Sequence, residues 1–141
     1  MKKTIIIAAL AAFTLSVTLP SCSKYQDGPK FSLLTKKARL EGPWEIESVT
    51  VDGTDVTSFY KALLGQNFEL EIEKDGTYSS TGTFPDKGTW TLGEDKDDIR
   101  FLSSDPGSTE DSYRILRLTS TEMWLKQTAT NGAVTIVKYK Q

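Results

Sequence analysis

Histidine is absent from this 141-residue chain, and cysteine occurs once, at Cys22. Without imidazole there is no Ser-His-Asp or Cys-His nucleophile system, no ready proton shuttle near neutrality and no His-based metal site. With one thiol there is no internal disulfide, so stability has to come from packing. Charge of a single sign is missing too: 17 lysines and arginines stand against 19 acids. That balance excludes the clustered basic surface that tracks phosphates, and no nucleic-acid partner is expected. No Gly-rich phosphate loop occurs. The acidic run Glu94-Asp95-Lys96-Asp97-Asp98 lacks the ordered spacing of a calcium loop and reads as a solvated hairpin turn. No cofactor is implied.

Only one long apolar run is present, and it opens the chain. Lys2 and Lys3 precede an uncharged, mostly apolar stretch over residues 4–19. This is the order of a secretory signal, and it is shorter than the roughly 20 apolar residues that span a bilayer. It closes on Leu19-Pro20-Ser21-Cys22, which resembles the lipobox of bacterial lipoproteins. The resemblance implies cleavage before Cys22 and a diacylglyceryl group on its sulfur, for which a thiolate is the apt nucleophile. Two or three acyl chains hold a domain durably to a membrane, whereas one does so only marginally. The expected division is a signal over residues 1–21, a polar tether over 22–39 and one domain over 40–141. Phe31, Leu33 and Leu34 are expected to pack on that domain. Loss of Lys2 and Lys3 with the signal leaves the remainder mildly acidic.

From residue 40 onward apolar residues recur at every second position in short runs separated by turn signals, the mark of an antiparallel all-β domain. Trp44 and Ile46 alternate with Glu45 and Glu47, and Phe68, Leu70 and Ile72 alternate with Glu69, Glu71 and Glu73. Further runs follow at 77–84, 88–92, 99–102, 112–119, 122–128 and 133–139. Asp75-Gly76 and Asn131-Gly132 are hairpin dipeptides, the latter a type I′ signal. Eight strands in meander order favour closure into a barrel, which leaves no edge exposed. One short helix interrupts them after the first strand. Asp55 or Thr57 caps it, Phe59, Tyr60, Leu63 and Leu64 form its apolar stripe, and Gly65 suits its C-terminal end. It is expected over one mouth of the barrel, either plugging the core or acting as a lid.

The segments LEGPWEIESVTVDG, FELEIEKDGTY, KGTWTL and RILRLTSTEMWLKQ together resemble the lipocalin-like domains of lipoproteins from the Bacteroidetes. That resemblance implies an eight-stranded barrel and, by analogy, a small apolar ligand. It also implies that Trp44, two residues after Gly42, packs across the closed end. Bacterial lipoproteins of this kind are anchored in a Gram-negative envelope, here read as the outer membrane with either face open.

Whether the barrel is hollow turns on TYSSTGTF, residues 77–84. A two-residue turn at Asp75-Gly76 places Ser79, Thr81 and Thr83 inward; a three-residue loop with Gly76 left-handed places Tyr78, Ser80, Gly82 and Phe84 inward. The second is favoured, since it spares buried hydroxyls without partners. In either register the middle of the strand is small, so a cavity follows unless Trp90, Phe101 or Met123 fills it. Tyr78, Ser80 and Gly82, with Trp44, Trp90, Phe101 and Met123, are therefore the candidate lining residues. Trp124 alternates with Met123 and Leu125 and should face outward, where it is a candidate contact for a protein partner. The acids read as exposed strand faces and turns, with none on an inward row, so no enzyme is expected. Two functions follow: a lipid-anchored barrel binding a small apolar or amphipathic molecule, or a filled barrel whose surface contacts another envelope protein. A cavity of a few hundred cubic ångströms separates the first from the second.

Overall fold

A computed structural model describes residues 33–141. Cys22, the leader and Phe31 lie outside the described residues. In chain order the elements are α1 (Lys36–Leu40), β1 (Gly42–Val51), β2 (Thr54–Asp55), α2 (Thr57–Leu64), β3 (Glu69–Ile72), β4 (Thr77–Ser80), β5 (Asp86–Leu92), β6 (Asp98–Ser103), β7 (Asp111–Leu118), β8 (Glu122–Thr128) and β9 (Val134–Lys140). Every neighbouring pair from β3 to β9 is antiparallel, and β1 joins β3 on one side and β9 on the other. The result is a closed eight-stranded meander barrel, with the two-residue β2 folded back on the end of β1.

Period-two alternation decides which side chains enter. Trp44 and Ile46 of β1, Leu70 and Ile72 of β3, and Ile99 and Phe101 of β6 are buried, as are Trp90 of β5 and Leu125 of β8. The intervening glutamates of β1 and β3 face out. The Asp75-Gly76 hairpin is the three-residue loop: Ile72 pairs with Tyr78, the Gly76 N–H donates to the Glu73 carbonyl, and Gly76 has φ +97°. Asn131-Gly132 uses the same device rather than a type I′ turn. Gly132 alone is left-handed there, and its N–H donates to the Ala129 carbonyl.

The strand expected over 77–84 ends instead at Ser80, because the chain leaves the barrel to tie down α2. The Thr81 N–H donates to the Glu69 carbonyl, the Thr81 hydroxyl to the Asn67 carbonyl, and the Thr83 N–H to the Leu64 carbonyl at 2.7 Å. Gly82 and Phe84 are thereby off the inward row, and Phe84 is 62% exposed. The apolar stripe of α2 also divides. Tyr60 and Leu64 are half-buried, whereas Phe59 and Leu63 face solvent. The N-cap of α2 is Val56, with no side-chain cap, rather than Asp55 or Thr57; Asp55 Oδ1 accepts from the Thr57 N–H just beyond it, and Gly65 ends the helix at φ +98°.

A second helix, α1, stands at the end of the segment that reads as a polar tether. Thr35 caps it, the Arg39 guanidinium donates to the Leu118 carbonyl, Lys36 pairs with Asp97 at 3.3 Å, and Leu40 is fully buried. Leu33 and Leu34, expected to pack, are 90% and 50% exposed.

Candidate ligand site at the open end of the barrel

The two ends of the barrel differ. At the end where β1 begins, the interior is filled by Leu40, Trp44, Ile72, Ile99, Leu118 and Met123, each fully buried. Both core indoles are satisfied: Trp44 Nε1 donates to the Leu40 carbonyl and Trp90 Nε1 to the Glu73 carbonyl, each at 2.8 Å. Lys37 lies 5.9 Å from the centroid of the Trp90 ring. Trp44, Trp90 and Met123, expected to line a ligand, are thus packing residues of the closed end. Their size is why the cavity does not run the length of the barrel.

At the opposite end the interior opens into a cavity of about 150 Å³. Its apolar wall is Phe68, Leu70, Phe101 and Leu125, and three phenols enter it from separate strands: Tyr78, Tyr113 and Tyr139. Tyr78 stacks edge-on against Phe101 (centroids 5.1 Å apart), and Phe101 edge-on against Tyr113 (6.0 Å). Of the expected lining residues, the structure places Tyr78, Ser80 and Phe101 in this wall. Gly82 is excluded by the turn away from the barrel. The cavity is smaller than the few hundred cubic ångströms expected, though a void of this size is enough for one six-membered ring.

Two residues of the site escaped the sequence reading, Asp86 and Asp111. Each is the first residue of its strand and stands on an inward row, Asp86 two positions before Gly88 and Asp111 two before Tyr113. Carrying the period-two pattern of Trp90 and Ile115 back through their strands would have found both. Asp86 is held firmly. Its Oδ2 accepts from the Tyr78 hydroxyl at 2.6 Å, and its Oδ1 from the Ser103 hydroxyl at 2.6 Å and the Lys87 N–H at 2.8 Å. Its own N–H donates to Ser80 Oγ. Burial pushes the Asp86 carboxyl up, but the hydrogen bonds from Ser103, Tyr78 and Lys87 outweigh it, so Asp86 ionises more readily than an ordinary aspartate.

The phenols shift the other way. Burial, then the hydrogen bond and charge of Asp86, push Tyr78 well above the usual range. Burial, with Asp111 and then Tyr60 of α2 nearby, pushes Tyr113 up to about 12. Burial, followed by Tyr113, raises Tyr139 as well. All three are neutral hydrogen-bonding groups at physiological pH. The hydroxyls of Tyr113 and Tyr139 make no hydrogen bond among the described residues, which leaves them available to a guest.

A second hollow, about 240 Å³, lies between the end of α2 and β1 and is lined by Glu45, Lys61, Asn67 and Glu69 among others. It brings no aromatic cluster together. Trp124 faces outward as expected, but it is occupied: Lys138 lies 3.8 Å and Arg117 5.4 Å from its ring centroid. Glu94, Asp95 and their neighbours form the β5–β6 turn, and among the described residues no group of acids is disposed to hold a metal. No protein-family model matches the chain, and no curated protein does either.

Proposed function

We propose that this chain is a non-enzymatic lipoprotein of a Gram-negative envelope, lipocalin-like in kind, whose barrel receives a small amphipathic molecule at its open end. The observation that carries the reading is the asymmetry of the interior. One end is filled by large apolar side chains, whereas the other holds a cavity framed by seven successive strands with two phenol hydroxyls that make no hydrogen bond among the described residues. A cavity of about 150 Å³ accepts one ring or a short branched group, not a long acyl chain, so the remainder of a larger molecule would lie across the rim. The leader and Cys22 support the anchor.

A second reading is favoured by a different observation. Phe59, Phe84 and Leu63 are 64%, 62% and 45% exposed, all on segments at the open end, and such residues suit contact with another envelope protein. Uptake of an apolar fluorescent probe distinguishes the two readings. Wild type is expected to bind the probe, and Leu125→Phe, which adds volume to the cavity wall, is expected to stay folded and lose it. Absence of probe uptake by wild type, with Leu125→Phe destabilised by overpacking, would favour the interaction module. Mass spectrometry of the protein purified gently from its own membranes then identifies the guest.

A further inference from the structure

The only charge in the cavity lining, among the described residues, is negative. That lining contains two carboxylates, three phenols and a serine, and no lysine or arginine. Asp86 and Asp111 open β5 and β7, the two strands that flank β6, and both line the mouth of the cavity. Between them β6 contributes Phe101, which pairs in register with Asp111. Acids usually face water. Here both stand on inward rows at the rim, Asp86 half-buried and hydrogen-bonded and Asp111 exposed, so the mouth above the aromatic rings carries negative charge.

The two carboxylates are not equivalent. Asp86 already accepts three hydrogen bonds, which uses most of its capacity and fixes its negative charge in place. Asp111 makes neither a hydrogen bond nor an ion pair among the described residues, so its oxygens are open to a donor. Arg100, the nearest arginine on β6, is spent on Glu110 at 3.8 Å. The edge-to-face chain Tyr78–Phe101–Tyr113 turns ring faces in different directions, and a ring face attracts a cation within about 6 Å of its centroid.

The geometry points to a small organic ammonium ion as the guest: its apolar ring or branch fills the cavity against Phe68, Leu70 and Leu125, and its charge sits at the mouth against Asp111, over the Phe101 and Tyr113 rings. This rests on the pocket reading above and adds to it the charge of the ligand. Anionic guests such as fatty acids are repelled by the same two carboxylates, and a neutral guest would forgo the attraction of Asp111.

Three probes of one shape test the assignment: benzylammonium, benzyl alcohol and benzoate, each titrated into the purified protein and followed through the resonances of the cavity tyrosines. Benzylammonium is expected to bind at least tenfold more tightly than the alcohol, and benzoate not to bind. Asp111→Asn, which has no internal hydrogen bond to lose, should erase most of that preference while leaving the affinity for the alcohol unchanged. Equal affinities for ammonium and alcohol, a preference for benzoate, or a preference undiminished in Asp111→Asn would each overturn the inference and leave the pocket standing. If none of the three perturbs the tyrosines, the pocket reading itself fails.

Discussion

Single residues explain where this fold resists change. Gly82 has φ +108°, and a Cβ built on it would lie 2.2 Å from the Leu64 carbonyl oxygen. That carbonyl is the acceptor for the Thr83 N–H, so the clash falls on the contact that seats α2. Gly82→Ala is therefore expected to cost about 1–3 kcal/mol, read as a lowered urea midpoint, and a larger side chain adds little, because the first methyl already breaks the contact. Asp86 is sensitive in a pH-dependent way. Its carboxyl ionises more readily folded than unfolded, so its stabilisation is complete above the ordinary aspartate range, near 4, and fades as pH falls through the lowered folded value. Asp86→Asn should lose roughly 1–3 kcal/mol at pH 7. Its denaturation midpoint should converge with that of wild type as the solution is acidified below pH 4.

At the scale of elements, alternation along β3 separates a residue that cannot change from one that should. Leu70 is 7% exposed on the inward row, and Leu70→Asp is expected to prevent folding by burying an unpaired charge. Glu71, one position on, lies between Glu69 and Glu73, and Glu69 faces Glu45 across the β1–β3 pair. Partial burial first, then repulsion from Glu73 and Glu69, raises its pKa. A group easier to protonate when folded loses stability as pH rises through that raised value. Glu71→Gln should therefore equal or exceed wild type at pH 7 by up to about 0.5 kcal/mol, with the gain vanishing in acid, as urea melts at the two pH values would show. The strands were legible because alternation is a local signal. Trp44 on β1 and Leu70 and Ile72 on β3 announce their face from their neighbours alone. The ends of strands were not. Thr81 and Gly82 continue the pattern of β4 by composition, yet the Thr81 hydroxyl bonds the Asn67 carbonyl and the Thr83 N–H the Leu64 carbonyl, both more than ten residues away in sequence, and the chain turns out of the sheet. For the same reason the runs expected at 88–92 and 112–119 begin after Asp86 and Asp111, although the barrel uses these as the first inward residues of β5 and β7. The site was half legible: Tyr78, Ser80 and Phe101 followed from register, whereas the two acids required knowing where the strands begin.

For the whole molecule, the anchor prediction is independent of the barrel. Cys22→Ala is expected to move the protein from the membrane pellet to the soluble fraction of fractionated cells, and quantitative retention in the pellet would contradict lipidation. The position of the chain's entry into the barrel has a further consequence. Residues 35–40 enter at the filled end, where Arg39 bonds the Leu118 carbonyl, and the C-terminus finishes beside them, with the Gln141 side chain donating to the Glu41 carbonyl. The proposed lipid on Cys22 would therefore pull on the base of a cup. The lip, carrying Asp111 and the Phe59 and Phe84 side chains, is the barrel end opposite the one that the segment bearing the proposed lipid joins. A guest drawn from that same leaflet would have to travel around the barrel, whereas one dissolved in the adjoining aqueous space, or presented from the facing surface, meets the opening directly. With the proposed anchor and pocket, the molecule would catch from water rather than extract from its own membrane. A fluorophore at Gly107, in the β6–β7 loop of the lip, should accordingly transfer less energy to a labelled bilayer than one at Thr121, beside the base.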